Sequence, residues 1–202
     1  KLRNGGQSCV AANRFYVHAR VAEQFCARLG AAMARVRTGY GLDDGVEVGA
    51  MINKRARDKA HGIVVDAVEA GARVVTGGRV IGSTGFFLEP TLLADVPHTA
   101  RALREEVFGP VAPVTTFTDL DEAVGWANGT DAGLAAFVQS RDLSTALAVP
   151  DALEAGMVGI NRGVVSDPAA PFGGWKHSGL GREGGHEGLL EYLEPKYVAV
   201  SW

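Results

Sequence analysis

The 202 residues are 47% hydrophobic and 21% charged, enough apolar material to bury a real core. A formal net charge of -3, with Lys and Arg scattered along the chain, provides no basic surface for nucleic acid. No apolar run approaches the roughly 18 residues needed to cross a membrane, no signal peptide is visible, and two cysteines are too few for a disulfide framework, so the expected compartment is a reducing cytoplasm.

The chain opens on Lys1-Leu2-Arg3-Asn4-Gly5-Gly6-Gln7-Ser8-Cys9, a cysteine set directly after a loop of glycines and small polar residues. Glycines let the backbone approach a ligand, and a thiol there can attack a carbonyl while backbone N–H groups stabilise the oxyanion. The competing reading makes Cys9 one more small buried residue. Arg14 to His18 is rich in aromatic and β-branched residues and reads as a strand. Val21, Phe25, Ala32, Met33 and Val36 then recur at helical spacing over residues 20–36, with Cys26 beside that stripe as core packing.

A glycine and aspartate loop (39–49) precedes a helix that Asn53 caps and Gly71 stops, with Ala56, Ala60, Ile63, Val64, Ala67 and Val68 on one face. Arg73 to Thr76 predicts a short strand. Phe86 to Leu93 predicts an extended stretch that Pro90 keeps at a sheet edge. Val111 to Phe117 is the next strand, followed by a helix from Asp119 or Asp121 to Asn128. Leu134 to Gln139 predicts a buried strand. Asp142 caps a helix that Pro150 disturbs, and Met157 to Asn161 is the last core strand. This strand–helix order predicts an α/β sheet with helices on its faces.

Residues 162–183 form a glycine- and proline-rich loop too long to be idle. A helix from Glu183 to Leu193 and an apolar strand from Lys196 to Trp202 are expected to close the chain, the strand as an edge seeking a partner. The five histidines (His18, His61, His98, His177 and His186) show no metal-ligand spacing with the cysteines, so no metal is expected. Gly179, Gly181 and Gly184 match a dinucleotide fingerprint by letter, but no apolar strand precedes them and no βαβ unit surrounds them.

Four ordered stretches carry a family resemblance. They are Arg3 to Cys9, Glu105-Glu106-Val107-Phe108-Gly109-Pro110, Pro171-Phe172-Gly173-Gly174, and Ser178-Gly179-Leu180-Gly181-Arg182-Glu183. Together they resemble the aldehyde dehydrogenase superfamily over the whole chain, and within it the succinate-semialdehyde dehydrogenases. The resemblance implies an open twisted sheet with helices on both faces, plus a C-terminal helix and an oligomerisation strand. It divides the chain into a catalytic α/β domain (1–161) and a segment of active-site loop, helix and strand (162–202). It also implies an N-terminal NAD(P)-binding domain that these residues lack, and therefore a polypeptide without turnover by itself. The family's general-base motif, a glutamate followed by Leu-Gly-Gly, occurs nowhere in the sequence.

By the same resemblance Cys9 is the nucleophile. Glu106 would accept hydrogen bonds from two ribose hydroxyls of NAD or NADP, and Phe108 would lie against the nicotinamide side. Read from sequence alone, Glu106 is a solvated surface charge, the usual fate of a Glu-Glu pair. Arg3 and Ser166 match positions that bind the substrate carboxylate in the semialdehyde enzymes, and an Arg fork with a hydroxyl suits that task. A free thiol ionises near pH 8.5, so Cys9 needs help to react at neutral pH. Implied partners are a small aldehyde and further copies of the chain through the C-terminal strand. Two other readings are a cofactor-independent cysteine hydrolase or acyl-transfer enzyme with His18 as base, and a non-catalytic oligomerisation module.

Overall fold

Leu92, Leu93 and Ala94 point alternately to the two faces of one sheet, and each face receives a helix. They belong to the first of two compact units, Lys1–Ala127; the second is Asn128–Trp202. The computed structural model describes all 202 residues.

In the first unit the chain runs β1 (Phe15–His18), α1 (Ala19–Ala34), α2 (Lys54–Glu69), β2 (Arg73–Thr76), β3 (Val80–Ile81), β4 (Phe87–Leu88), β5 (Thr91–Ala94) and β6 (Val111–Phe117). The sheet order is β1-β6-β5-β2. β1 and β5 lie parallel to β6, and β2 closes the other edge antiparallel to β5. β3 and β4 make a separate antiparallel pair. Helix α1 buries Ala22, Cys26 and Met33 against Leu92, Ala94, Ala112 and Val114. On the opposite face α2 buries Ala60, Ile63, Val64 and Ala67 against Leu88, Leu93, Val107 and Val111. Complete burial of Leu92 and Leu93 stabilises the unit by roughly 2 kcal/mol each. Helices therefore cover both faces, as the α/β reading expects. Cys26 is buried core packing, and its burial pushes the thiol pKa upward, helped by the Asp95 charge.

The helix ends follow the side chains that satisfy them. Asn53 accepts from Ala56 N at 2.8 Å. At the far end of α2, Gly71 adopts φ +105° and Ala72 N donates to Ala67 O at 2.9 Å, a Schellman closure. Pro90 does not mark an edge. It stands just before β5, which is interior, so its missing N–H lies outside the ladder. Helix α3 (Leu120–Asn128) starts on Asp119, whose carboxylate accepts from Glu122 N at 2.9 Å.

The second unit holds β7 (Ala132–Gly133), β8 (Ala135–Val138), α4 (Leu143–Ala152), β9 (Met157–Ile160), β10 (Trp175–Lys176) and α5 (Glu187–Leu190). β8 and β9 pair in parallel across α4, and β7 pairs antiparallel with β10. Asp142 caps α4 by accepting from Thr145 N at 2.7 Å, and the helix continues past Pro150 to Ala152. The compositional change at residue 161 thus falls inside this unit; the compact units meet at Ala127 and Asn128.

Two C-terminal expectations are corrected. The helix expected over 183–193 is a single turn, Glu187–Leu190, preceded by Gly184 and Gly185 at φ +67° and +60°. Lys196 to Trp202 form no strand within this chain, and Tyr197 and Trp202 stand fully in solvent.

Candidate functional site

The loop before Cys9 is a tight left-handed turn. Asn4, Gly5 and Gly6 have φ of +51°, +61° and +76°. Gly5 and Gly6 tolerate this without strain, while Asn4 offsets it locally by donating from Nδ2 to Gln7 O at 2.9 Å. Gln7 in turn accepts from Ile52 N at 2.9 Å, which fastens the loop to the chain ahead of α2. Beyond this anchor Cys9 is exposed and is not sealed in the core. Arg3 is exposed on the same turn.

The second motif lies directly against the first. A Cβ added at Gly6 would sit 2.1 Å from the Gly109 carbonyl oxygen, so the two backbones approach too closely for a side chain at Gly6. In Glu105–Pro110, burial alternates: Val107 is 1% exposed, whereas Glu106 and Phe108 face solvent. Phe108 holds φ +51°, a conformation costly for an aromatic residue that keeps its ring exposed.

The structure also separates the two adjacent glutamates. Glu105 pairs with Arg101 Nε at 2.8 Å, and Arg101 also reaches Asp66 at 2.7 Å. These bonds push the Arg101 pKa upward, and the Arg101 bond draws the Glu105 carboxyl downward. Glu106 has its main chain held instead. Asn13 Nδ2 donates to Glu105 O and Asn13 Oδ1 accepts from Val107 N, both at 2.9 Å; Lys59 Nζ donates to Glu106 O at 2.7 Å. The half-buried Lys1 ammonium has its pKa pushed down by burial to about 8, with the Glu106 charge opposing that shift.

An exposed carboxylate on a pinned backbone, on the same loop as an exposed aromatic ring, can accept hydrogen bonds from a pair of hydroxyl groups. Cys9, Arg3, Glu106 and Phe108 all belong to the first unit. Ser166 belongs to the second and is exposed in its loop. That loop is stitched by paired bonds between Phe172 and Glu183 (2.6 and 2.7 Å) and by Arg182 Nη1 donating to Gly174 O at 3.1 Å. Lys176 forms an ion pair with Glu154 within the same unit.

His18 has other work than serving a thiol. Its Nδ1 accepts from Arg20 N at 3.1 Å, capping α1, and its ring packs edge-on against Phe117. Gln7, Asn13 and Lys59 hold these loops through bonds to segments far away in sequence, which local pattern does not reveal. A signal for Asn13 was available: it is a polar residue between an apolar run and a strand.

The profile of the Aldehyde dehydrogenase family matches residues 1–198. A succinate-semialdehyde dehydrogenase of Paenarthrobacter nicotinovorans is 51% identical over all of this chain and 45% of its own length. A glutarate-semialdehyde dehydrogenase of Pseudomonas putida is 48% identical, over all of the chain and 42% of its own. A crystal structure titled as an E. coli NADP dependent enzyme superposes with TM-score 0.96 at 48% identity, covering all of this chain and 42% of that one. The chain thus spans less than half the length of these proteins. With the profile matched almost end to end, and with the thiol loop packed on the Glu-Glu-x-Phe-Gly-Pro loop, the chain belongs to the aldehyde dehydrogenase family.

Proposed function

We propose that this chain is the catalytic portion of an NAD(P)-dependent dehydrogenase that oxidises a carboxylated aldehyde, succinic semialdehyde or a close homologue, to the acid. The observation that carries the reading is the contact of Gly6 with Gly109, which sets the exposed Cys9 loop against the loop bearing Glu106 and Phe108. The names of the relatives, succinate- and glutarate-semialdehyde dehydrogenases and an NADP-dependent enzyme, support the substrate and cofactor classes.

Cys9 attacks as the thiolate: the C–S bond forms and the carbonyl π pair moves to oxygen, where the Cys9 amide can donate. Glu106 and Phe108 would hold the nicotinamide, which would supply the acceptor for the hydride that the aldehyde carbon gives up as its oxyanion collapses, leaving Cys9 as a thioester. Water then takes the acyl group, releasing the acid and restoring the thiol. In the first unit Arg3 is assigned to the substrate's distal carboxylate through charge-assisted hydrogen bonds, and by the resemblance Ser166 of the second unit carries a hydroxyl suited to the same kind of group. The exposed apolar tail, with Val198 66% and Val200 68% exposed, is assigned to contact with a further copy of the chain. A free, exposed thiol at Cys9 suits the reducing cytoplasm.

The test is Cys9→Ala in the intact protein. Dinucleotide reduction with succinic semialdehyde is expected to fall by about four orders of magnitude or more. Retained turnover would remove the thiol from the mechanism. In the same assay Arg3→Ala is expected to raise KM for the semialdehyde but not for an uncharged aldehyde; equal effects on both would take Arg3 out of carboxylate binding.

A further inference from the structure

We propose that Asn13 is a positioning residue for the cofactor carboxylate, coupling the segment that follows the nucleophile to the backbone on either side of Glu106. The proposal rests on the assignment of Glu106 to the dinucleotide. Asn13 uses both ends of one planar amide: Nδ2 donates to Glu105 O and Oδ1 accepts from Val107 N, each at 2.9 Å. The two bonds bracket Glu106 and lock the peptide units before and after it. Lys59 Nζ takes the remaining carbonyl, Glu106 O, at 2.7 Å.

The arrangement resists two motions. Glu105 is drawn by its side chain toward Arg101, so without a second tether the neighbouring residue is free to rotate with it. Phe108 sits in a left-handed conformation that relaxes easily if Val107 N loses its acceptor. Asn13 opposes both. Only three residues separate it from Cys9, so the same tether fixes the spacing between the thiol segment and the carboxylate. A carboxylate that must meet two ribose hydroxyls gains affinity from such preorganisation.

The experiment uses the intact protein and reads dinucleotide binding by intrinsic fluorescence titration, beside the rate of Cys9 alkylation by iodoacetamide. Asn13→Ala is expected to weaken NAD(P) binding roughly tenfold, the effect of losing two hydrogen bonds that order one segment. Alkylation of Cys9 and the KM for aldehyde should stay within about twofold, below the roughly fourfold to fivefold that one ordinary hydrogen bond is worth. Asn13→Asp keeps the acceptor for Val107 N but cannot donate to Glu105 O, so it should fall between wild type and alanine; it also serves if the alanine variant does not fold. In a Glu106→Gln background, Asn13→Ala should add little, because both changes act on one contact. Unchanged dinucleotide affinity in Asn13→Ala, additive losses in the double variant, or equal damage to Cys9 alkylation would each overturn the proposal. If Glu106→Gln itself binds dinucleotide like wild type, the assignment of Glu106 fails as well, an outcome distinct from a failure at Asn13 alone.

Discussion

The paired loops at residues 3–9 and 105–110 and the tail at 191–202 show opposite relations between composition and burial. The loops are rich in glycine and charge, yet Gly5, Gly6, Val107, Gly109 and Pro110 are buried and hold the exposed Cys9 and Glu106 in place. The tail carries Tyr197, Val198, Val200 and Trp202, the residues of a strand, and all of them lie in solvent. The difference is the availability of partners. Each loop finds the other's backbone, whereas the tail has strand-forming side chains but pairs its N–H and C=O groups with no strand of its own chain.

The sharpest way to break this contrast is at the loop contact. Gly6→Ala introduces a Cβ 2.1 Å from Gly109 O at a φ of +76°. It is expected to destabilise the protein by about 3 kcal/mol, seen as a lowered urea midpoint, and to separate the two loops. An unchanged midpoint would mean that the loops do not bear on each other in solution.

A smaller effect concerns Lys1, beside Glu106. Its folded pKa is pushed down to about 8 against 10.5 for a free lysine. Between those values the unfolded chain keeps a proton that the folded chain has shed, so stability rises as pH increases from about 8 toward 10.5. Denaturation curves across that window should show the rise, and Lys1→Met should flatten it. A slope that survives Lys1→Met belongs to another group.

The smallest effect is expected in the tail. Deleting residues 196–202 should leave the unfolding free energy of the chain's own core within about 0.5 kcal/mol, since these residues bury nothing. The association state of the intact protein, read by light scattering, should nevertheless fall. A core that loses stability on deletion would show that the tail packs against its own chain.

Much of the fold was legible because it rests on local periodicity. The stripe Ala60, Ile63, Val64 and Ala67 predicts one buried helix face, and that face is buried. Asn53, Asp119 and Asp142 announce helix starts, and each accepts a backbone N–H there. Pro90 misled, because a proline just outside a strand and one within an edge strand look alike in sequence, while their ladder positions differ. The tail forms no strand within its own chain, because strand propensity describes a side chain's fitness for a sheet and not the presence of a neighbour.

At the site the chain by itself determined the chemistry on offer: one exposed-loop thiol, a Glu-Glu pair, an arginine six residues before the cysteine, and the spacing that marks the family. Only the tertiary structure decided that Glu105 is spent on Arg101 while Glu106 stays open, and that Asn13, 92 and 94 residues away from the groups it holds, fixes that carboxylate's backbone. Residue type sets what a group can donate, accept or attack. Which partner it meets depends on contacts between segments far apart in sequence, and those exist only after the chain has closed on itself.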